Sequence, residues 1–124
     1  MAGGRRARYD ANVPTDPILS QFLGGTLVLR IHNRKFDYEE GERVVDAVYG
    51  PAASERKIDN IVLNLETVEQ VRSAGLSVIG RLGLDFRLRV VCPSPEVKKI
   101  LNMMGFLPLL KLYYTEKEAL ADCQ

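Results

Sequence analysis

The stretch Ile61-Val62-Leu63-Asn64-Leu65-Glu66-Thr67-Val68-Glu69-Gln70-Val71-Arg72-Ser73-Ala74-Gly75-Leu76 decides how this chain is read. It opens on a short apolar run, crosses a polar turn and enters a helical pattern at Ser73-Ala74-Gly75. Residues 60–65 are almost continuously apolar, which marks a central strand buried on both faces, as in a parallel sheet. A strand that turns into a helix this way points the N–H groups of the first helical turn outward, and small α/β domains bind partners or are modified at such turns.

Working downstream, a helix over residues 73–83 places Leu76, Ile79 and Gly83 on one stripe, with Val78 and Leu82 beside it. Residues 87–92 form another buried strand. Ser94 then caps a helix whose first position is Pro95, where a missing N–H does no harm. Val97, Ile100, Leu101 and Met104 follow at i, i+3, i+4 and i+7, and Gly105 ends that helix. Residues 109–113 form a last short strand. Thr115-Glu116-Lys117-Glu118 is a capping box opening a terminal helix that turns Ala119, Leu120 and Cys123 inward.

Working upstream, residues 37–49 read as a helix in which Asp37 caps the first turn, Glu40 reaches back to it, and Val44, Val45 and Val48 share a face. Gly50-Pro51 stops it, and residues 51–59 read as a charged loop. Residues 18–23 and 26–31 form a hairpin around Gly24-Gly25, which supplies the positive φ of a two-residue turn. Residues 1–17, polar and broken by Pro14 and Pro17, are expected to be a flexible leader ahead of one domain over 18–124. The order ββαβαβαβα predicts an α/β domain, a mixed β-sheet flanked by about four helices with right-handed crossovers.

The chain has 124 residues, 46% apolar and 27% charged, enough for one domain with a real core. Net charge is +1, which argues against direct nucleic-acid binding. Arg5, Arg6 and Arg8 cluster near the start and read as a solvated terminus. No apolar stretch is long enough to enter or span a membrane, and no charged-then-apolar leader opens the chain. Cys92 and Cys123 are far apart and form no metal-type pair; Cys92 reads as strand core. A reducing cytoplasm fits this usage. No nucleophile–base pair, phosphate loop or metal cluster can be assembled, so neither an enzyme nor a cofactor is expected. His32 has no Cys or acid pair nearby, and the dipole of the helix explains Glu39, Glu40 and Glu42.

Three stretches taken together resemble the STAS domains, the fold of bacterial anti-sigma factor antagonists. They are the strand-turn-helix from Ile61 to Leu82, the run Leu88-Arg89-Val90-Val91-Cys92-Pro93-Ser94-Pro95-Glu96-Val97 with Leu101 and Gly105, and the segment from Leu107 to Leu120. That family carries Asp-Ser-Ser-Gly-Leu or Asp-Ser-Thr-Gly-Leu at the turn, and its second hydroxyl residue is phosphorylated by a serine kinase that is also the anti-sigma factor. This chain reads Arg72-Ser73-Ala74-Gly75-Leu76. By position the acceptor falls on Ala74, which has no hydroxyl, and the supporting Asp on Arg72. An arginine at a helix N-terminus is unfavourable by about 0.3–1 kcal/mol.

The resemblance implies partner binding through Arg72, Ser73, Ala74, Gly75 and Leu76. Ser73 has two readings, as N-cap of the helix or as a phosphorylation site whose charge Arg72 and the helix dipole would welcome. Arg72 is either a solvated side chain or, with the N–H groups of Ala74 and Gly75, an anion clamp. The apolar stretch around Met103 and Phe106 is a second partner surface where it is exposed. The implied partner is a serine kinase/anti-sigma factor or other STAS proteins. The alternative is a cytoplasmic STAS subunit stabilising a bacterial lipid ABC transporter through its ATP-binding subunit. Self-association as a homo-oligomer is compatible with either.

Overall fold

A computed structural model of the chain describes residues 17–123. The expected leader therefore lies outside the described residues, apart from Pro17. The hairpin forms as β1 (Ile18–Leu23) and β2 (Thr26–Ile31), with Gly24 at φ +64° in the turn. A two-residue strand β3 (Lys35–Phe36) precedes α1 (Tyr38–Tyr49). Gly50 ends α1, and Pro51 at once starts a single helical turn, α2 (Pro51–Ser54). The charged loop expected from residue 51 thus begins only after Ser54. Proline is pre-set for a first helical position, and Pro51-Ala52-Ala53 lets the turn form.

The chain then runs through β4 (Asn60–Asn64), a two-residue β5 (Gln70–Val71), α3 (Ser73–Asp85), β6 (Arg87–Val91), α4 (Pro95–Met103), a 3-10 turn (Leu107–Leu109), β7 (Leu110–Tyr113) and α5 (Glu116–Asp122). The caps expected at Ser94 and Thr115 are in place. Ser94 Oγ accepts from Val97 N–H, and Thr115 and Glu118 exchange the two bonds of a capping box. Gly105, at φ +72°, takes the chain out of α4.

Five strands form one mixed sheet in the order β1-β2-β4-β6-β7, with β1 antiparallel and the rest parallel. Alternation along the strands sends Leu27, Leu29, Ile61, Leu63, Leu88 and Val90 to one face, where they pack against Val44, Val48, Leu76, Ile79, Leu82, Val97 and Leu101 of α1, α3 and α4. Each such fully buried side chain stabilises the fold by roughly 1.5–3 kcal/mol. Among the described residues, the buried apolar side chains of the opposite face are Val28, Val62 and Val91, which pack with Ala119 of α5 and with the partly buried Tyr113, Leu120 and Cys123. Polar side chains complete that face. Arg30 holds Glu116 with two bonds of 2.8 Å, and Arg89 holds Asp122 at 2.7 Å and Asn60 at 2.7 Å. The last helix is therefore pinned at both ends by ion pairs over a narrow apolar strip.

Candidate functional site

The turn at residues 72–76 rests on the small parallel ladder of β3 and β5, which pairs Lys35 with Gln70 and Phe36 with Val71. Arg72 continues β5 in extended form, at φ −97° and ψ 175°, and its N–H donates to Phe36 O at 3.0 Å. The next residue is already helical. Gly75 lies directly over the same Phe36 carbonyl. A β-carbon there would collide with that oxygen and come within 2.9 Å of the Phe36 ring. The start of α3 thus packs backbone against backbone on β3, and only glycine fits. Gly41 of α1 closes the other side, with room for a β-carbon only at 3.1 Å from Val78.

The loop under this ladder is fixed by a buried carboxylate. Glu40 is fully buried, accepts from Asn33 Nδ2 at 2.7 Å and from Asp37 N–H at 3.0 Å, and faces no ion-pair partner at contact distance among the described residues. Burial works against its charge, but the Asp37 and Glu40 N–H groups, the Asn33 amide and nearby Lys35 together hold it below the usual carboxylate range. Asn33 in turn accepts from Arg34 N–H at 2.8 Å, and Arg34 O accepts from Glu69 N–H at 2.6 Å and Gln70 N–H at 3.1 Å. A continuous chain of hydrogen bonds runs from Glu40 to the entrance of the turn.

The five residues expected to meet a partner divide. Arg72 and Ser73 are exposed and Ala74 is half-buried, whereas Gly75 and Leu76 are buried and serve packing. Ser73 is not the cap. The cap position falls on Arg72, whose side chain offers no acceptor, because the ladder keeps Arg72 extended and the helix starts directly after it. No side chain among the described residues caps the helix, so its first-turn N–H groups are left uncapped. The Ser73 hydroxyl has no partner among the described residues; its carbonyl accepts from Ser77 Oγ. Arg72 makes one long bond, 3.3 Å to Gln70. Beside it opens a cleft of about 260 Å³ lined by Gln70, Arg72, Glu96 and Ile100.

His32 sits apart, exposed at the rim of a second polar cleft of about 240 Å³ with Arg30, Asn64 and Glu116. Glu116 is held below its usual range by its bonds to Arg30 and Asn64. These groups satisfy one another, and no cluster of metal-binding side chains occurs among the described residues. Met103 and Met104 are exposed, and Phe106 packs on Gly80 of α3.

A family model described as the STAS domain matches residues 18–119. The chain belongs to the STAS domain family. The fold of this STAS domain is shared with solved structures of anti-sigma factor antagonists. SpoIIAA in its unphosphorylated form is 23% identical, with a TM-score of 0.68 over 86% of this chain and 95% of that one. Bacillus SpoIIAA in its phosphorylated form is 22% identical, with a TM-score of 0.64 over 86% and 99%. An anti-sigma factor antagonist from Mycobacterium paratuberculosis is 19% identical, with a TM-score of 0.65 over 85% and 91%. No curated protein matches this chain by sequence. No described helix is long and apolar enough to cross a membrane.

Proposed function

We propose that this STAS domain is a non-catalytic protein-interaction module of the anti-sigma factor antagonist type that works without a serine switch at residue 74. The observation that carries this reading is the turn itself: an uncapped helix start that presents Arg72, Ser73 and a methyl group at Ala74. A partner that reads such a turn meets a surface that cannot acquire phosphate at residue 74. The kinds of partner that fit are a serine kinase/anti-sigma factor or other STAS proteins. Ser73, exposed and not engaged in capping, is the hydroxyl left for modification, and a phosphate there would lie beside Arg72 and the helix dipole.

Affinity capture with the full chain, comparing wild type with Ala74→Asp, tests this. Mass spectrometry then reads both the partners and the state of Ser73. We expect a serine kinase or STAS proteins with the wild type and at least a tenfold loss with Ala74→Asp. A carboxylate in the first turn favours the helix by about 0.3–1 kcal/mol, so the loss would not come from unfolding. Equal capture by both chains would remove the turn from the interface. Transporter ATP-binding subunits with an unmodified Ser73 would replace the signalling reading with a structural one.

A further inference from the structure

The two edges of the main sheet are unlike. β7 is four residues long and carries Lys111 at its centre, exposed and 3.7 Å from Asp122. Short length and a lysine are the usual protections of a free sheet edge. β1 is six residues long, Ile18-Leu19-Ser20-Gln21-Phe22-Leu23, and has no charge and no proline. Leu19 and Leu23 are 46% and 42% exposed on the face that carries α5.

The backbone of β1 is also open at Ser20 and Phe22. Pro17 O accepts from His32 N–H at 2.7 Å, and the register pairs Leu19 with Arg30, Gln21 with Val28 and Leu23 with Thr26. Odd-numbered residues thus turn their backbone groups to β2. In an alternating antiparallel ladder Ser20 and Phe22 then turn theirs outward, and no described group meets them.

We propose that β1 is a homotypic edge through which two copies of this chain pair antiparallel, with Gln21 at the two-fold axis. Antiparallel pairing keeps facing residues on the same side of the sheet, so a residue must meet one of its own parity. The register centred on Gln21 sets Ser20 opposite the second copy's Phe22, and Phe22 opposite its Ser20. That joins the outward N–H and C=O groups in two reciprocal pairs. It also sets Leu19 opposite Leu23 twice, covering the two exposed leucines of each copy with one another. Gln21 meets Gln21 across the axis, each with its side-chain oxygen already accepting from Arg30 at 3.0 Å.

Charge selects a second copy as the occupant. An uncharged strand approaches itself without like-charge repulsion, while Lys111 disfavours growth from the other edge, so pairing closes as a dimer rather than a fibre. Two six-residue edges bury less than the roughly 1,200–2,000 Å² of a stable interface, so the dimer is a weak one that forms with rising concentration. It leaves α3 free, since β1 is the outermost strand and α3 crosses between β4 and β6.

Sedimentation of the full chain over a concentration series tests the proposal. We expect the average mass to rise from 13.9 kDa toward twice that value. Ser20→Pro, which deletes an outward donor, and Leu19→Lys, which places charge in the seam, should each hold it at the monomer while thermal unfolding stays cooperative. Cross-linking fixes the register, in chains that also carry Cys123→Ser. Paired residues at a non-hydrogen-bonded position lie about 4.5 Å apart between α-carbons, within disulfide reach, so Gln21→Cys should oxidise to a dimer. Ser20→Cys, more than about 7 Å from its counterpart, should not. A monomer up to about millimolar concentration would overturn the proposal, as would association that survives both edge variants or faster cross-linking at residue 20.

Discussion

Gly75 is the residue through which sequence, packing and site are most tightly joined. The family resemblance makes it part of the binding turn, yet its position over Phe36 O shows that it acts by letting α3 approach β3. A methyl group there meets a carbonyl fixed in a ladder, not a side chain that can swing away. Gly75→Ala should therefore lie at the costly end of overpacking, about 3 kcal/mol. Chemical denaturation would show it as a lower midpoint with an unchanged slope. Exposed Ser73 should tolerate alanine within about 0.5 kcal/mol, since it caps nothing. Glu40 illustrates the opposite kind of legibility. Its reach back to Asp37 follows from the spacing of a capping box, but its bond to Asn33 does not, because no period links a loop amide to a helix carboxylate.

The elements were legible in proportion to their length. β1, β2, β4, β6, α1, α3 and α4 each carry a run, a stripe or a cap that depends only on neighbours along the chain. The β3–β5 ladder that holds the turn has two residues per strand, too few for any alternation, and it forms where Phe36 and Val71 are both buried in the core. That ladder is also why the cap moved from Ser73 to Arg72. At the sheet's other face, α5 depends on charge. Asp122, bonded by Tyr113 and Arg89, is lowered from 3.8 to about 2, and Glu116 and Glu40 are also held below 4.5. Carboxylates lowered by folding stabilise fully above their ordinary values and lose that contribution as pH falls through the folded ones. Stability should hold from neutral pH down to about 4.5 and decline from there toward 2. Tyr49 has the opposite sign. Burial and its 2.6 Å bond to Asp85 raise it from 10.0 to about 12, so its contribution is complete below 10.0 and is lost as pH rises toward 12. Melting temperatures measured across pH should show both limbs, and Tyr49→Phe should flatten much of the alkaline one, leaving the part due to Tyr113.

Across the molecule, the strands of the main sheet stand side by side in chain order, with β3 and β5 set apart in their own ladder, so each joins the main-sheet strand nearest to it in sequence. The exception is the contact that closes the polar face. Arg30 and Glu116 are separated by 86 positions, and Asn64 reaches the same carboxylate across 52. Contacts of such separation are expensive to form early in folding. Glu116→Gln should accordingly raise the unfolding rate and leave the refolding rate nearly unchanged, which stopped-flow fluorescence or circular dichroism would resolve. During synthesis the same feature imposes an order of events. The strands and the turn at Arg72 can take shape while the chain is still being made, but Arg30 has no carboxylate to meet until Glu116 has left the ribosome. The open face over Val28, Val62 and Val91 is thus the newborn chain's exposed side until α5 arrives to close it.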